Sequence, residues 1–256
     1  MLGSFDEADA LVRHLPSRVE LGAATRVCLA RLRKHHHRHL PQNEGPPAPA
    51  GARLHAWAES HWITPAPDAK LFKSDEEARD KRESVALHFV ALLQHLPARQ
   101  RAVVLLRDIT GLSGPETAGA LKISGQAVEG VLHRARRSLR AADDVPGSDD
   151  PPDEVLRAYA RAWEHRDGER LRDLVRRDVV LALPPHAAWF RGTAGFARFV
   201  RDCAGAYVGL TRANGCPALA FHEANGRLCA VQVVRFARGK VAEAVHFTGP
   251  RALKGF

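Results

Sequence analysis

Long apolar runs are missing from the 256 residues: no stretch of about twenty could span a bilayer. The N-terminus also lacks the basic-then-apolar layout of a signal peptide. A cytoplasmic chain with no membrane partner is expected. Cysteine is scarce, with Cys28, Cys203, Cys216 and Cys229 scattered and no C-x-x-C pair, which excludes a zinc knuckle and a disulfide framework. Internal repeats are absent. The only biased tract is HHHRH at positions 35 to 39. Neutral imidazoles bind zinc or nickel, but adjacent histidines splay around a helix and lack the i, i+4 spacing that points two ligands to one face. The tract therefore reads as the basic end of a helix beginning near Glu20. No metal site and no cofactor are expected.

Acidic residues are in deficit, giving a net charge of +9. The surplus is unevenly placed. Residues 152–256 hold seventeen Lys/Arg against ten Asp/Glu, whereas residues 1–151 hold 21 against 19. The overall charge thus argues weakly for nucleic acid. The stretch 99–140, with eight basic and three acidic residues, argues better.

Two stretches can form neither a helix nor a central strand. One is EGPPAPAGA, residues 44–52, where proline fixes φ and removes donors. The other is DDVPGSDDPPD, residues 143–153, where repelling carboxylates keep the backbone solvated. They divide the chain into 1–43, a linker 44–83, a helical unit 84–142, a linker 143–152 and an independent domain 153–256. The expected fold class is an all-α N-terminal part with a helix-turn-helix, followed by an α+β cone.

Between Ser84 and Arg140 the apolar residues recur at helical spacing and predict four helices. Ser113 is an N-cap with Glu116 three residues on, and Ser124 caps the last helix. Only Lys122 and Ile123 join the last two helices, the spacing of a helix-turn-helix, which sets the first turn of its second helix into the DNA major groove. Residues 96–139, LPARQRAVVLLRDITGLSGPETAGALKISGQAVEGVLHRARRSL, closely resemble region 4 of sigma-70 factors of the extracytoplasmic-function group. The resemblance implies promoter DNA and RNA polymerase as partners, with Ser124, Gln126, Ala127 and Glu129 facing bases. His133, Arg134, Arg136 and Arg137 would meet phosphates or the polymerase. A solvated basic helix face is the plainer alternative. Lys122 departs from the glycine usual in that family.

Such factors also carry a region 2 that holds polymerase and melts DNA. Residues 1–12 and 24–41 resemble only its ends, and a gap of roughly fifteen residues, about 22 Å of helix, separates this chain from a typical member. A truncated region 2 without an aromatic stacking cluster is the expectation.

After Asp153 two helical stretches precede short β-rich runs, with Asn225-Gly226 and Arg238-Gly239 as hairpin turns. This part resembles the SnoaL-like domain of the nuclear transport factor 2-like superfamily, which some extracytoplasmic-function factors carry after a WLxPYPD-like motif. Here that motif reads WITPAPD, residues 62–68. The resemblance implies a pocket, for which Trp163, Trp189, Asn214, Phe221, Gln232 and Phe247 are candidate walls. His186 and His246 are candidate acid/base residues or, alternatively, hydrogen-bonded wall residues. Alternation places Val245 and Phe247 on one face of the last strand and Ala244 and His246 on the other. Three functions follow as expectations: a sigma-like transcription regulator, an enzyme doing cyclase, isomerase or dehydratase chemistry on a polycyclic or polyketide-like molecule, or a ligand-sensing scaffold.

Overall fold

The computed structural model describes residues 38–74, 76–78, 80, 86–142, 150–202 and 207–256. The helix expected from Glu20 and the region 2 fragments up to residue 37 lie outside the described residues, as do Cys28, Cys203 and most of the second linker. The described chain divides into two compact units, 92–142 and 38–91 with 150–256.

The helical unit follows its caps. After the short helix α1 (Asp68–Leu71), α2 (Leu87–His95) enters it, α3 (Ala98–Val104) starts after Pro97, α4 (Gly114–Leu121) follows, and α5 is Gly125–Ala142. Ser113 and Glu116 form the expected capping box, with Ser113 N–H donating to Glu116 Oε2 at 2.8 Å. Ser124 Oγ accepts from Ala127 N–H at 3.2 Å. Val103, Val104, Val128, Val131, Leu132 and Ala135 are buried, the i, i+3, i+4, i+7 stripe of α5 among them. Lys122 takes the left-handed conformation, φ 55° and ψ 48°, and donates its N–H to Ala118 and Gly119 carbonyls. The turn keeps its geometry although a Cβ is present, at a cost of about 1–2 kcal/mol.

In the other unit, α6 (Asp153–Glu164) starts after Pro152 with two acids in its first turn and buries Tyr159, Ala160 and Trp163. Helix α7 (Gly168–Leu174) is capped by Asp167, and α8 spans Thr193–Asp202. Strands β1 (Val175–Ala182), β2 (Trp189–Arg191), β3 (Tyr207–Ala213), β4 (Cys216–His222), β5 (Leu228–Ala237) and β6 (Lys240–Phe247) form one sheet in the order β2-β1-β6-β5-β4-β3. Every neighbouring pair is antiparallel except β1 with β6. This is the expected α+β cone. Arg238 and Gly239 both have positive φ, forming the β5–β6 turn. Asn214 and Gly215 do the same between β3 and β4, a hairpin signal that the sequence reading passed over.

The two sheet faces have different covers. Leu181, Leu219, Phe221, Val234, Phe236 and Ala244 pack inward with Tyr159, Trp163 and Phe196. On the other face Ala182, Trp189, Ala218, Val233, Val245 and Phe247 pack with Leu40, Ile63, Leu87 and Ala91. The first linker is thus a packed strap as well as a connection. It has neither helical nor strand periodicity over 44–58, as proline dictates, yet Leu40, Trp62, Ile63 and Ala66 are buried. Asn214 Oδ1 accepts from Ala66 N–H at 2.8 Å, Asn214 N–H donates to Ala66 O at 3.0 Å, and Asp68 Oδ1 accepts from Gly215 N–H at 2.8 Å. The WITPAPD motif therefore clasps the β3–β4 turn.

Candidate nucleic-acid interface and the buried C-terminal cluster

The first turn of α5 presents Ser124, Gln126, Ala127 and Glu129 to solvent, and His133, Arg134, Arg136 and Arg137 are exposed further along. The cap leaves chemistry in hand, because Ser124 Oγ uses a lone pair on Ala127 N–H and keeps its hydroxyl proton to donate. Two of the expected contacts are engaged within the unit. Arg136 forks onto Asp108, Nε to Oδ2 at 3.1 Å and Nη2 to Oδ1 at 2.5 Å, which raises its pKa further. Glu129 lies 3.7 Å from Arg107, whose Nη1 also donates to Leu112 O.

Asp108 reaches Arg136 from a π-helical turn, Leu105–Ile109, in which Thr110 N–H donates to Leu105 O at 2.9 Å. Periodicity read α3 as regular and missed this extra residue per turn. Arg101 is buried: its Nη2 donates to the carbonyls of Gln94 at 2.6 Å and Leu96 at 3.2 Å, satisfying the C-terminal end of α2. Burial lowers its pKa, without reaching any range where a guanidinium would lose its charge.

Within the cone, His246 is fully buried on β6 among Trp163, Phe199 and Phe221, with ring centroids 6.1, 5.1 and 4.9 Å away. Tyr159 O–H donates to Gln232 Oε1 at 2.8 Å, and Gln232 Nε2 lies 3.4 Å from His246 Nδ1. With the amide oxygen on the tyrosine, the Gln232 NH₂ faces the imidazole, whose Nδ1 accepts. Loss of hydration holds the His246 pKa down at about 3, and burial pushes the Tyr159 phenol well above its ordinary value. At neutral pH this is an uncharged chain of donors and acceptors.

The structure does not bring His186 and Trp189 to His246. Trp189 belongs to the opposite sheet face, where its Nε1–H donates to Gly45 O at 2.8 Å in the strap. His186 is half-buried in the loop before β2; its backbone pairs with Ala56, and its Nδ1 lies 3.2 Å from Leu183 O. Asn214 holds the strap, and Phe247 packs beneath it. Of the expected pocket residues, Trp163, Phe221 and Gln232 surround His246. Two open clefts of about 780 and 800 Å³ are lined elsewhere, by none of the expected pocket residues.

Residues 87–139 match the family described as Sigma-70, region 4. That stretch, the helical unit of the fold, is what the chain shares with sigma-70 region 4. The ECF RNA polymerase sigma factor SigG of Mycobacterium tuberculosis is 34% identical over 242 residues, 88% of this chain and 65% of SigG. The chain therefore spans just under two thirds of that relative's length. The RNA polymerase sigma-E factor of Streptomyces avermitilis is 36% identical over 104 residues, 41% of this chain and 50% of that protein. The crystal structure of the M. tuberculosis extracytoplasmic function sigma factor SigJ matches with a TM-score of 0.65 at 17% identity, covering 99% of this chain and 91% of that one. That likeness shows a shared fold, in which a helical unit and an α+β cone occur in one chain. Among the described residues, no helix is long and apolar enough to cross a membrane.

Proposed function

We propose that the chain is a sigma-factor-type transcription regulator that binds promoter DNA through region 4 in the cytoplasm, with RNA polymerase core as its further partner. The observation carrying this reading is the start of α5, where Ser124, Gln126 and Ala127 stand exposed ahead of Arg134 and Arg137. Short polar groups at the first turn fit base edges, and the guanidinium groups about two to three turns on fit phosphates. Arg136, already forked onto Asp108, serves first to fix α5 against the π-helical turn.

The test is binding of the full chain to a duplex carrying an extracytoplasmic-type −35 element. Gln126→Ala is expected to cost about 1–3 kcal/mol on that sequence and little on random DNA. Arg134→Ala and Arg137→Ala each should weaken both and lower the salt slope by about 0.9. Sequence-independent binding that ignores Gln126, or no salt slope, would overturn the proposal.

The cone is proposed as a sensor for a small polycyclic or polyketide-like ligand. The Trp163, Phe199 and Phe221 rings give this cluster an aromatic lining suited to flat apolar molecules, although they fill the space around the imidazole, so a ligand reaches it only by displacing that packing. The alternative, cyclase, isomerase or dehydratase catalysis, would ask proton transfer of an imidazole that burial keeps neutral down to about pH 3. That mismatch favours binding over acid/base chemistry at this group.

A further inference from the structure

We propose that His39, Glu44 and His61 form a binding site for one divalent transition-metal ion of the zinc class, which staples the strap closed. One donor atom from each residue lies within 4.8 Å of the others. His39 Nδ1 is 3.1 Å and His61 Nε2 is 3.2 Å from the same oxygen, Glu44 Oε1. Zinc bonds of about 2.0–2.1 Å at tetrahedral angles set neighbouring ligands about 3.3 Å apart. Both nitrogen-to-oxygen distances match that spacing, and the two imidazole nitrogens lie within 4.8 Å of each other. His61 Nε2 is shielded from solvent and, despite its distance to Glu44, makes no aligned hydrogen bond. A lone pair in that position is suited to a ligand lying off the line to the carboxylate.

The backbone holds the three residues in place before any ion arrives. His39 N–H donates to His61 O, and Ile63 N–H to His39 O, both at 3.0 Å. The 3-10 turn Pro41–Asn43 brings Glu44 back beside His39, with Glu44 N–H on Pro41 O at 3.1 Å. Trp57 and Trp62 set ring edges or faces against His61 at 4.9 and 4.8 Å and limit its rotation. Two imidazoles and one carboxylate select zinc-like ions over magnesium or calcium, which take oxygen ligands. Water completes the tetrahedron. Binding joins the two ends of the 39–61 excursion, whose middle pairs with Trp189, Pro185 and His186 of the cone.

Zinc alone is the probe, added to the chelator-stripped full-length chain and measured by equilibrium dialysis with metal analysis. One equivalent is expected. Glu44→Gln and His61→Gln should each weaken it by more than about a hundredfold, since lost ligands cost more than the 10–100-fold of their hydrogen-bonded supports. A variant with His35, His36 and His37 all changed to alanine should keep it, separating this site from metal capture by the histidine tract. Cobalt substitution should give the intense visible absorption of a four-coordinate site, and zinc should raise the melting temperature in a chelator-reversible way. Both single variants are checked for an unchanged circular dichroism spectrum, and Glu44→Gln, exposed and near-isosteric, decides the matter if His61→Gln fails to fold. Absence of a stoichiometric ion, or binding lost with the tract and kept without Glu44, would overturn the proposal.

Discussion

Single residues carry two consequences that can be measured directly. His246 has a folded pKa near 3 against an ordinary 6.5. Between those values the unfolded chain binds a proton that the folded chain refuses. Stability from this group is therefore full above pH 6.5 and falls by about 1.4 kcal/mol per pH unit as pH descends toward 3. Urea midpoints at pH 7 and pH 5 should fall further apart in the native chain than in His246→Gln, where this linkage is gone; equal differences would show the imidazole to be hydrated. At Lys122, φ of 55° strains a side-chain-bearing residue at the end of α4. Lys122→Gly is expected to stabilise the helical unit by about 0.5–1 kcal/mol, because relief of the left-handed conformation outweighs the entropy of the unfolded glycine. A lower melting temperature would contradict this.

At the scale of elements, the strap and the turns decide what the helices and strands do. The β3–β4 turn has two duties at Asn214: a positive φ and an acceptor for Ala66 N–H. Asn214→Gly keeps the first and loses the second, and so should cost about 1–2 kcal/mol, with Asn214→Ala costing more. Chemical denaturation orders the two, and the reverse order would remove the clasp from the account. In region 4 the buried Arg101 closes α2 by its carbonyls. Arg101→Ala should destabilise by about 2–3 kcal/mol through the orphaned acceptors, a larger loss than Arg134→Ala on the exposed face.

For the whole molecule, regulation is expected to need both region 4 and a partner for opening DNA. The resemblance of residues 1–12 and 24–41 to the ends of region 2 implies a polymerase-holding segment shortened between Val12 and Ala24. Core polymerase mixed with this chain should accordingly form no open complex on a promoter that region 4 binds, as read by permanganate footprinting of unpaired thymines. Robust melting would show that the residues present suffice.

Local chemistry alone settled much of this protein. Caps at Ser113 and Ser124, the apolar stripe of α5, the Arg238-Gly239 turn and the inward–outward alternation on β6 each depend on neighbours within a few residues, and each could be read from the chain. Region 4 was legible for the same reason, its motif being contiguous over residues 87–139. What depended on distant partners was not. The opposite facing of Trp189 and His246 follows from cross-strand register, in which Ala182 pairs with both Trp189 and Val245, the Tyr159–Gln232–His246 chain joins a helix to two strands, and the burial of an aperiodic, proline-rich strap leaves no period to detect. The histidine tract shows the division within one stretch of chain. Its own spacing points no two rings to one face, and only folding sets His39 beside Glu44 and His61, because the partners of a site are chosen by proximity in space.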